Sequence, residues 1–280
     1  MKIGILTSHN PRHIYLANEL SKIADSTMVI SSAMGLNPAT SFYKKNSSDL
    51  MLNYFNNRFE SELNFFPDRY FYGQNQYLIV VGANEINNIY VYQQLKEYNP
   101  DIIIVFGTNI LKGEILTINQ KMINLHLGMS PYFNGSSTNF WPMYQYKYEY
   151  VGITIHYIDA GVDTGNIIHQ TRAKIKTNDT PHTIGNKNIL LGVSALKEII
   201  PSILNEDIEG INQWGINKNW IPKMMDFTNE IQEEFTNRIS NGEINNWLTS
   251  AVPEEYKLVE FNKKPILTNS SICKPKEIDF

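Results

Sequence analysis

The sequence predicts an α/β fold: an open, mostly parallel sheet covered by helices, followed by a small C-terminal appendage. Three observations carry this. Short apolar or β-branched runs alternate with stretches of helical periodicity as far as Pro201. One of those runs, Asp101–Phe106 (DIIIVF), is apolar almost throughout, as a strand buried on both faces requires. After Pro201 the alternation stops, and three of the four tryptophans (Trp214, Trp220 and Trp247) fall in what remains.

Taken in order, Lys2–Leu6 reads as a strand that breaks at Thr7-Ser8-His9-Asn10. Pro11 then opens a helix with Leu16, Leu20 and Ile23 on one face. Asn10 suits the N-cap and Pro11 the first helical position, where a missing N–H costs nothing. Thr27–Ser31 is a second β-rich run. Residues 46–65 are aromatic and Asn-rich with mixed helical character and no clear ends. Next come strand Tyr77–Val81, helix Asn84–Tyr98 and strand Asp101–Phe106. Strand Met122–Leu125 and a helix around Thr138–Tyr146 follow, then strands Gly152–Ile158 and Ile167–Ala173 and a long helix over Thr180–Ile200. A boundary near residue 204 divides the chain into 1–204 and a smaller 205–280 segment. The latter has a net charge of −5 from 13 acidic and 8 basic side chains.

Composition narrows the function. The 280 residues are 42% hydrophobic and 19% charged with a net charge of −4, so no global field draws the protein to nucleic acid or an anionic membrane. The single cysteine, Cys273, excludes an internal disulfide framework and a cysteine-rich metal site, and suits a cytoplasmic location. The N-terminus MKIGILTSHN lacks the apolar core of a signal peptide. No apolar run approaches the ~20 residues that span a bilayer.

In an open parallel sheet, ligands bind beyond the carboxyl ends of the strands. INLHLGMSPYFNG, residues 123–135, lies at such an end. Strand alternation points Asn124 and His126 to the same side, so an amide and an imidazole converge. Downstream, Asp159-Ala160-Gly161-Val162-Asp163-Thr164-Gly165 forms a turn between two strands and adds two carboxylates. An amide, an imidazole and a carboxylate suit acyl transfer to an amine: a donor polarises the carbonyl, a second group stabilises the oxyanion, and a base handles the proton.

Asn124-Leu125-His126, then Pro131 and Gly135, then Asp163 in its DAGVDTG turn, is a pattern that resembles the formyltransferases using 10-formyltetrahydrofolate. The likeness covers roughly residues 100–200, and Trp141 falls where tRNA-type members carry a tryptophan. The resemblance implies a Rossmann-like formyltransferase fold, with 1–204 as catalytic domain and 205–280 as a substrate-specificity or dimerisation region. It implies 10-formyltetrahydrofolate as formyl donor and no metal. By the same resemblance Asn124 binds the formyl oxygen, His126 stabilises the oxyanion, and Asp163 orients the histidine or a water and takes up the amine proton. Folate contacts are expected from Phe106, Gly107, Thr108, Asn109, Ile110 and Leu111, with Ile110 and Leu111 flanking the ring. Ser130, Pro131, Asp159 and Gly161 complete that set. Leu127-Gly128-Met129-Ser130 departs from the proline-rich loop of many members and is expected to be less rigid.

Asn10, Arg12 and His13 occupy the first βα turn, where a helix N-terminus suits a substrate phosphate; the alternative there is a capped surface helix. His156 is either a pocket wall residue or a hydrogen-bonded core residue. His169 and His182 are expected at the surface or a helix terminus. The acidic tail opposes the tRNA reading, and nucleic acid is not expected as a partner. Glycinamide ribonucleotide enzymes resemble only the first two hundred residues or so, and hydrolases of the family carry a domain ahead of the first strand. The resemblance therefore favours a small-molecule amine, a nucleotide-linked amino-deoxysugar, and admits a homodimer. The competing readings are methionyl-tRNA or glycinamide ribonucleotide formyltransferase, or a non-catalytic folate-binding member.

Overall fold

Short runs with alternating sidedness become the strands of one sheet. The computed structural model describes residues 1–33, 48–119, 121–206, 208–216, 221–252, 256–262 and 264–268; Trp220 and Cys273 lie outside them. Strands β1 (Lys2–Thr7), β2 (Ser26–Ala33), β3 (Gln76–Gly82), β4 (Ile102–Phe106), β5 (Met122–His126), β6 (Ile153–Tyr157) and β7 (Ile167–Thr171) form a sheet of order β3-β2-β1-β4-β5-β6-β7. Pairing is parallel from β3 to β5. It is antiparallel between β5 and β6 and between β6 and β7.

Period-2 alternation divides each central strand between two cores. Ile3, Ile5, Ile102, Ile104, Ile123 and Leu125 face helices α1 (Pro11–Ser21) and α5 (Pro181–Asn205). Leu6, Met28, Ile30, Ile103, Val105 and Met122 face α3 (Ile89–Tyr98) on the opposite side. The 46–65 stretch resolves into α2 (Asp49–Phe65), capped by the Ser48 hydroxyl. A third cluster unites Phe140, Tyr148, Tyr150 and Trp141, which opens α4 (Trp141–Tyr144), with tail residues. Those come from α6 (Asn229–Ser240), α7 (Glu243–Ser250) and β8 (Leu258–Asn262), which pairs with β9 (Lys264–Thr268).

Three element ends differ from expectation, each for a local reason. Helix α3 starts at Ile89 rather than Asn84, because the Asn88 side chain accepts the Val91 N–H at 2.8 Å and sets the cap there. Helix α4 shrinks to one turn, with Tyr146 in the left-handed region just beyond it. Helix α5 runs through Pro201 to Asn205, because burial of Ile203 against the core holds a turn that the proline alone would end. No described helix is long and apolar enough to cross a membrane. Among the described residues no group of three His, Cys, Asp or Glu side chains gathers as for a metal ion.

Candidate active site

Two strands and one turn assemble the site. Asn124 and His126 leave the same side of β5, and the antiparallel register sets Asn124 opposite His156 on β6. The turn between β6 and β7 then brings Asp163 back over both, with φ +53°, a left-handed backbone tolerated by aspartate better than by most side chains. Asn124 Nδ2 donates to Asp163 Oδ1 at 3.1 Å and to His156 Nε2 at 3.2 Å. The Gly135 N–H donates to Asp163 Oδ2 at 2.9 Å, and His126 Nδ1 lies 3.4 Å from the same oxygen.

The carbonyls nearby fix the protons. His156 Nδ1 sits 2.8 Å from the Tyr157 carbonyl, which only accepts, so Nδ1 donates and Nε2 is free to accept from Asn124. His126 Nε2 likewise donates to the Phe133 carbonyl at 2.9 Å. Its Nδ1 faces the Asp163 carboxylate. Burial works against a charge on Asp163. The opposing pull of His126 and the Gly135 N–H is larger and holds its carboxyl well below the usual carboxylate range.

The loop after His126 is buried and bonded rather than slack, which corrects the expectation of a less rigid segment. The Thr138 hydroxyl donates to the Leu127 carbonyl and the Thr154 hydroxyl to that of Gly128, each at 2.7 Å. Thr154 also accepts the Ser130 N–H, and Gln170 donates to the Ser130 carbonyl at 2.6 Å. Threonine and glutamine from β6 and β7 supply what the proline-rich loop would have supplied by stiffness. Ser130 and Pro131 are both buried here.

Other expected site residues divide. His156, buried, joins the Asn124–Asp163 network. Asp159 is exposed and braces its own turn by accepting from the Gly161 N–H and the Thr164 hydroxyl. Phe106 and Leu111 are buried, Leu111 within the α3-side core, so it does not stand beside the exposed Ile110 as a second ring-flanking side chain. Asn109 donates to the Ala83 carbonyl and Asn84, and the Thr108 hydroxyl donates to the Asn109 carbonyl.

Gly107 (φ +69°) meets the first βα turn: the Ser8 hydroxyl donates to its carbonyl, and His13 Nε2 packs where a Cβ would stand. His13 accepts the Asn10 N–H through Nδ1 and is held neutral by burial, helped by Arg12, Arg58 and His9. Arg12 is not presented to a ligand. Its guanidinium and its N–H both go to the buried Glu62 carboxylate, which takes the place expected for a phosphate.

Two further contributors were not foreseen. Asn134 donates to the Asp163 carbonyl at 2.7 Å. Gln213, from the segment after α5, donates to that carbonyl at 2.7 Å and to Gly165 at 3.0 Å. His182, at the start of α5 as expected, lies edge-on to Tyr54, while His169 accepts the Phe261 N–H instead of facing solvent.

Comparison with known proteins bears on this site. A family model described as formyl transferase matches residues 7–200. A methionyl-tRNA formyltransferase of Clostridioides difficile (strain 630) is 34% identical over 128 residues, a stretch covering 41% of this chain and 41% of that relative. This chain therefore aligns with less than half the length of that relative. A Mycobacterium tuberculosis structure, described as an uncharacterised protein and candidate sugar N-formyltransferase, superposes with TM-score 0.55 at 16% identity over 96% of both chains. A sugar 3N-formyl transferase solved in the presence of dTDP and 5-N-formyl-THF gives TM-score 0.52 at 22% identity, covering 81% of this chain and 71% of that one. At these identities the structural matches establish the fold.

Proposed function

The chain belongs to the formyl transferase family, and from that premise we propose that it transfers the formyl group of 10-formyltetrahydrofolate to a primary amine on a nucleotide-linked amino-deoxysugar. One observation carries the chemistry: Asn124 and His126 on β5 meet Asp163 from the turn after β6 at the carboxyl end of β5, Asn124 hydrogen-bonded to its carboxylate and His126 Nδ1 3.4 Å from it. The folate would supply the formyl carbon, and the run from Gly107 to Ile110 at the end of β4, exposed at Gly107 and Ile110 and half-buried between them, is the stretch we assign to its ring edge.

An amine attacking that carbon generates O⁻ and N⁺. His126 and Asn124 stabilise the first as hydrogen-bond donors, each once it gives up one of its present partners. As the new C–N bond forms, the surplus proton on the amine passes through the Asp163–His126 pair. It ends on the folate nitrogen as the old C–N bond breaks. A carboxylate held so far below its usual range is a poor final proton sink, so Asp163 acts chiefly by its charge and by orienting His126.

The sugar reading draws support from the tail. Its net charge of −5 opposes tRNA, whose binding depends on neutralising phosphates. The fold likeness over 96% of both chains also takes in the tail. We assign 1–204 to catalysis and 205–280 to substrate choice or dimerisation, and place the enzyme in the cytoplasm with its folate donor. A phosphate at the first βα turn would have to displace Glu62 from Arg12.

The methionyl-tRNA reading, favoured by the 34% identical relative, is separated by salt. Transfer to an amino-sugar nucleotide should persist at high salt, whereas tRNA binding should weaken steeply. The deciding experiment is a panel of nucleotide-linked amino sugars with 10-formyltetrahydrofolate, run with His126→Ala beside the wild type. Transfer by the wild type and a loss of about a hundredfold or more in the variant are expected. Full activity in His126→Ala would overturn the mechanism, and no transfer to any amino sugar would overturn the substrate class.

A further inference from the structure

After α5 the chain turns back along the edge of the catalytic half of the sheet. Ile211 exchanges two backbone hydrogen bonds with Ile167, both 2.8 Å, and Asn166 Nδ2 donates to the Glu209 carbonyl at 3.0 Å. Gly210, at φ +71°, makes the bend; a Cβ there would stand 2.9 Å from the Ile167 carbonyl oxygen. This path delivers Gln213 beneath the turn that carries Asp163. Its amide donates to the carbonyls of Asp163 and Gly165, and its own carbonyl faces Asn134 Nδ2 at 3.4 Å. Next door, Trp214 stands edge-on to Tyr132, in the loop that follows His126. The segment thus grips both chain stretches that build the site.

We infer that Gln213 is a positioning residue for the reaction: it holds the Asp163 peptide in its left-handed conformation and so keeps the carboxylate on His126 and the Gly135 N–H. The inference rests on the formyl-transfer reading of this site. A non-glycine residue in that backbone region pays a conformational cost, and surrounding bonds must hold it there. The Asp163 carbonyl has two such bonds, from Asn134 and from Gln213. Removing the glutamine leaves the carbonyl half-anchored and frees the Gly165 carbonyl, so the peptide can rotate. The carboxylate then swings with it.

The test uses Gln213→Met, which keeps the length of the side chain without its donors, and Gln213→Glu, which places an acceptor against two carbonyls. Both should lower kcat about tenfold or more while leaving KM for donor and amine within about twofold. In an Asp163→Asn background the Met substitution should cost almost nothing further, because it acts through the carboxylate already removed. Unchanged kcat in an active enzyme, or a full additional loss in that background, would overturn the inference.

Hydrogen exchange reads the same displacement without turnover. The Gly135 amide, bonded to Asp163 Oδ2, should lose about tenfold of its protection in Gln213→Met, with residues of α3 unchanged. Unaltered Gly135 protection would overturn the positioning role even if the wild type proved inactive as a formyltransferase. A wild type that fails every amine while Gly135 responds as expected would remove the functional reading alone.

Discussion

The side-chain amide of Asn124 has two hydrogens, and both are spent inside the protein, one on His156 and one on Asp163. A substrate carbonyl must therefore replace an acceptor already in place. The bond to the Asp163 carboxylate is charge-assisted and the stronger, so His156 yields first. His156 itself is tied at both ring nitrogens, which leads to a stability prediction. His156→Phe takes the acceptor from one Asn124 N–H and should cost about 1–3 kcal/mol in urea unfolding. An unchanged midpoint would show that water replaces the imidazole.

At this scale the sequence was informative where residues act through spacing and silent where they act through tertiary approach. Asn124 and His126 declare themselves by strand alternation, and Asp163 by its turn. Asn134 and Gln213 act by donating to a backbone carbonyl that only the folded chain brings near, and a carbonyl leaves no trace in the amino-acid alphabet.

Among the elements, α5 is pressed hardest against the catalytic strands. Gly192 sits where a Cβ would stand 2.4 Å from Ile153 Cδ1 and 2.7 Å from Leu125 Cδ1, and both of those side chains are buried. Alanine improves helix propensity by about 1 kcal/mol, but overpacking a filled core typically costs about 1–3 kcal/mol. Gly192→Ala should therefore lower the thermal midpoint by a few degrees, and since Leu125 lies between Asn124 and His126 it should also lower kcat. A raised midpoint would mean that the core absorbs the methyl.

The strands and α5 were legible because apolar period and turn residues agree there. The ends of α3 and α5 were not. In one case a capping asparagine overrode a longer periodic run, and in the other burial of Ile203 overrode a proline. Residues 49–65 hid their helix because aromatic and asparagine residues are indifferent helix formers, and Phe55 is buried in part by Phe227, which the fold brings in from the tail.

For the molecule as a whole, the acid limit of stability follows from histidines kept neutral. Burial lowers His169 to about 4; burial, with Arg58 adding to it, lowers His182 to about 3. Between the ordinary value of 6.5 and these, the unfolded chain binds protons that the folded one refuses, so stability falls as pH drops through that window. Asp163 adds a further loss at lower pH, beginning near the ordinary carboxylate value of 3.8, where the unfolded chain starts to bind a proton that the folded carboxylate refuses. Urea midpoints should decline from about pH 6.5 downward, and His182→Phe, which keeps a ring beside Tyr54, should make the decline shallower. A profile identical to wild type would assign the slope to other groups.

The strand-like pairing of Ile211 with Ile167 also bears on where one tail could be exchanged for another. Under the proposed assignment of substrate choice to the tail, a recombination that joins a foreign tail just after α5 would import a new surface for the amine but discard Gln213 and Trp214, which pack on the Asp163 turn and the loop after His126. The seam that preserves chemistry lies beyond Trp214, so chimeras spliced there should keep turnover while inheriting the donor tail's preference.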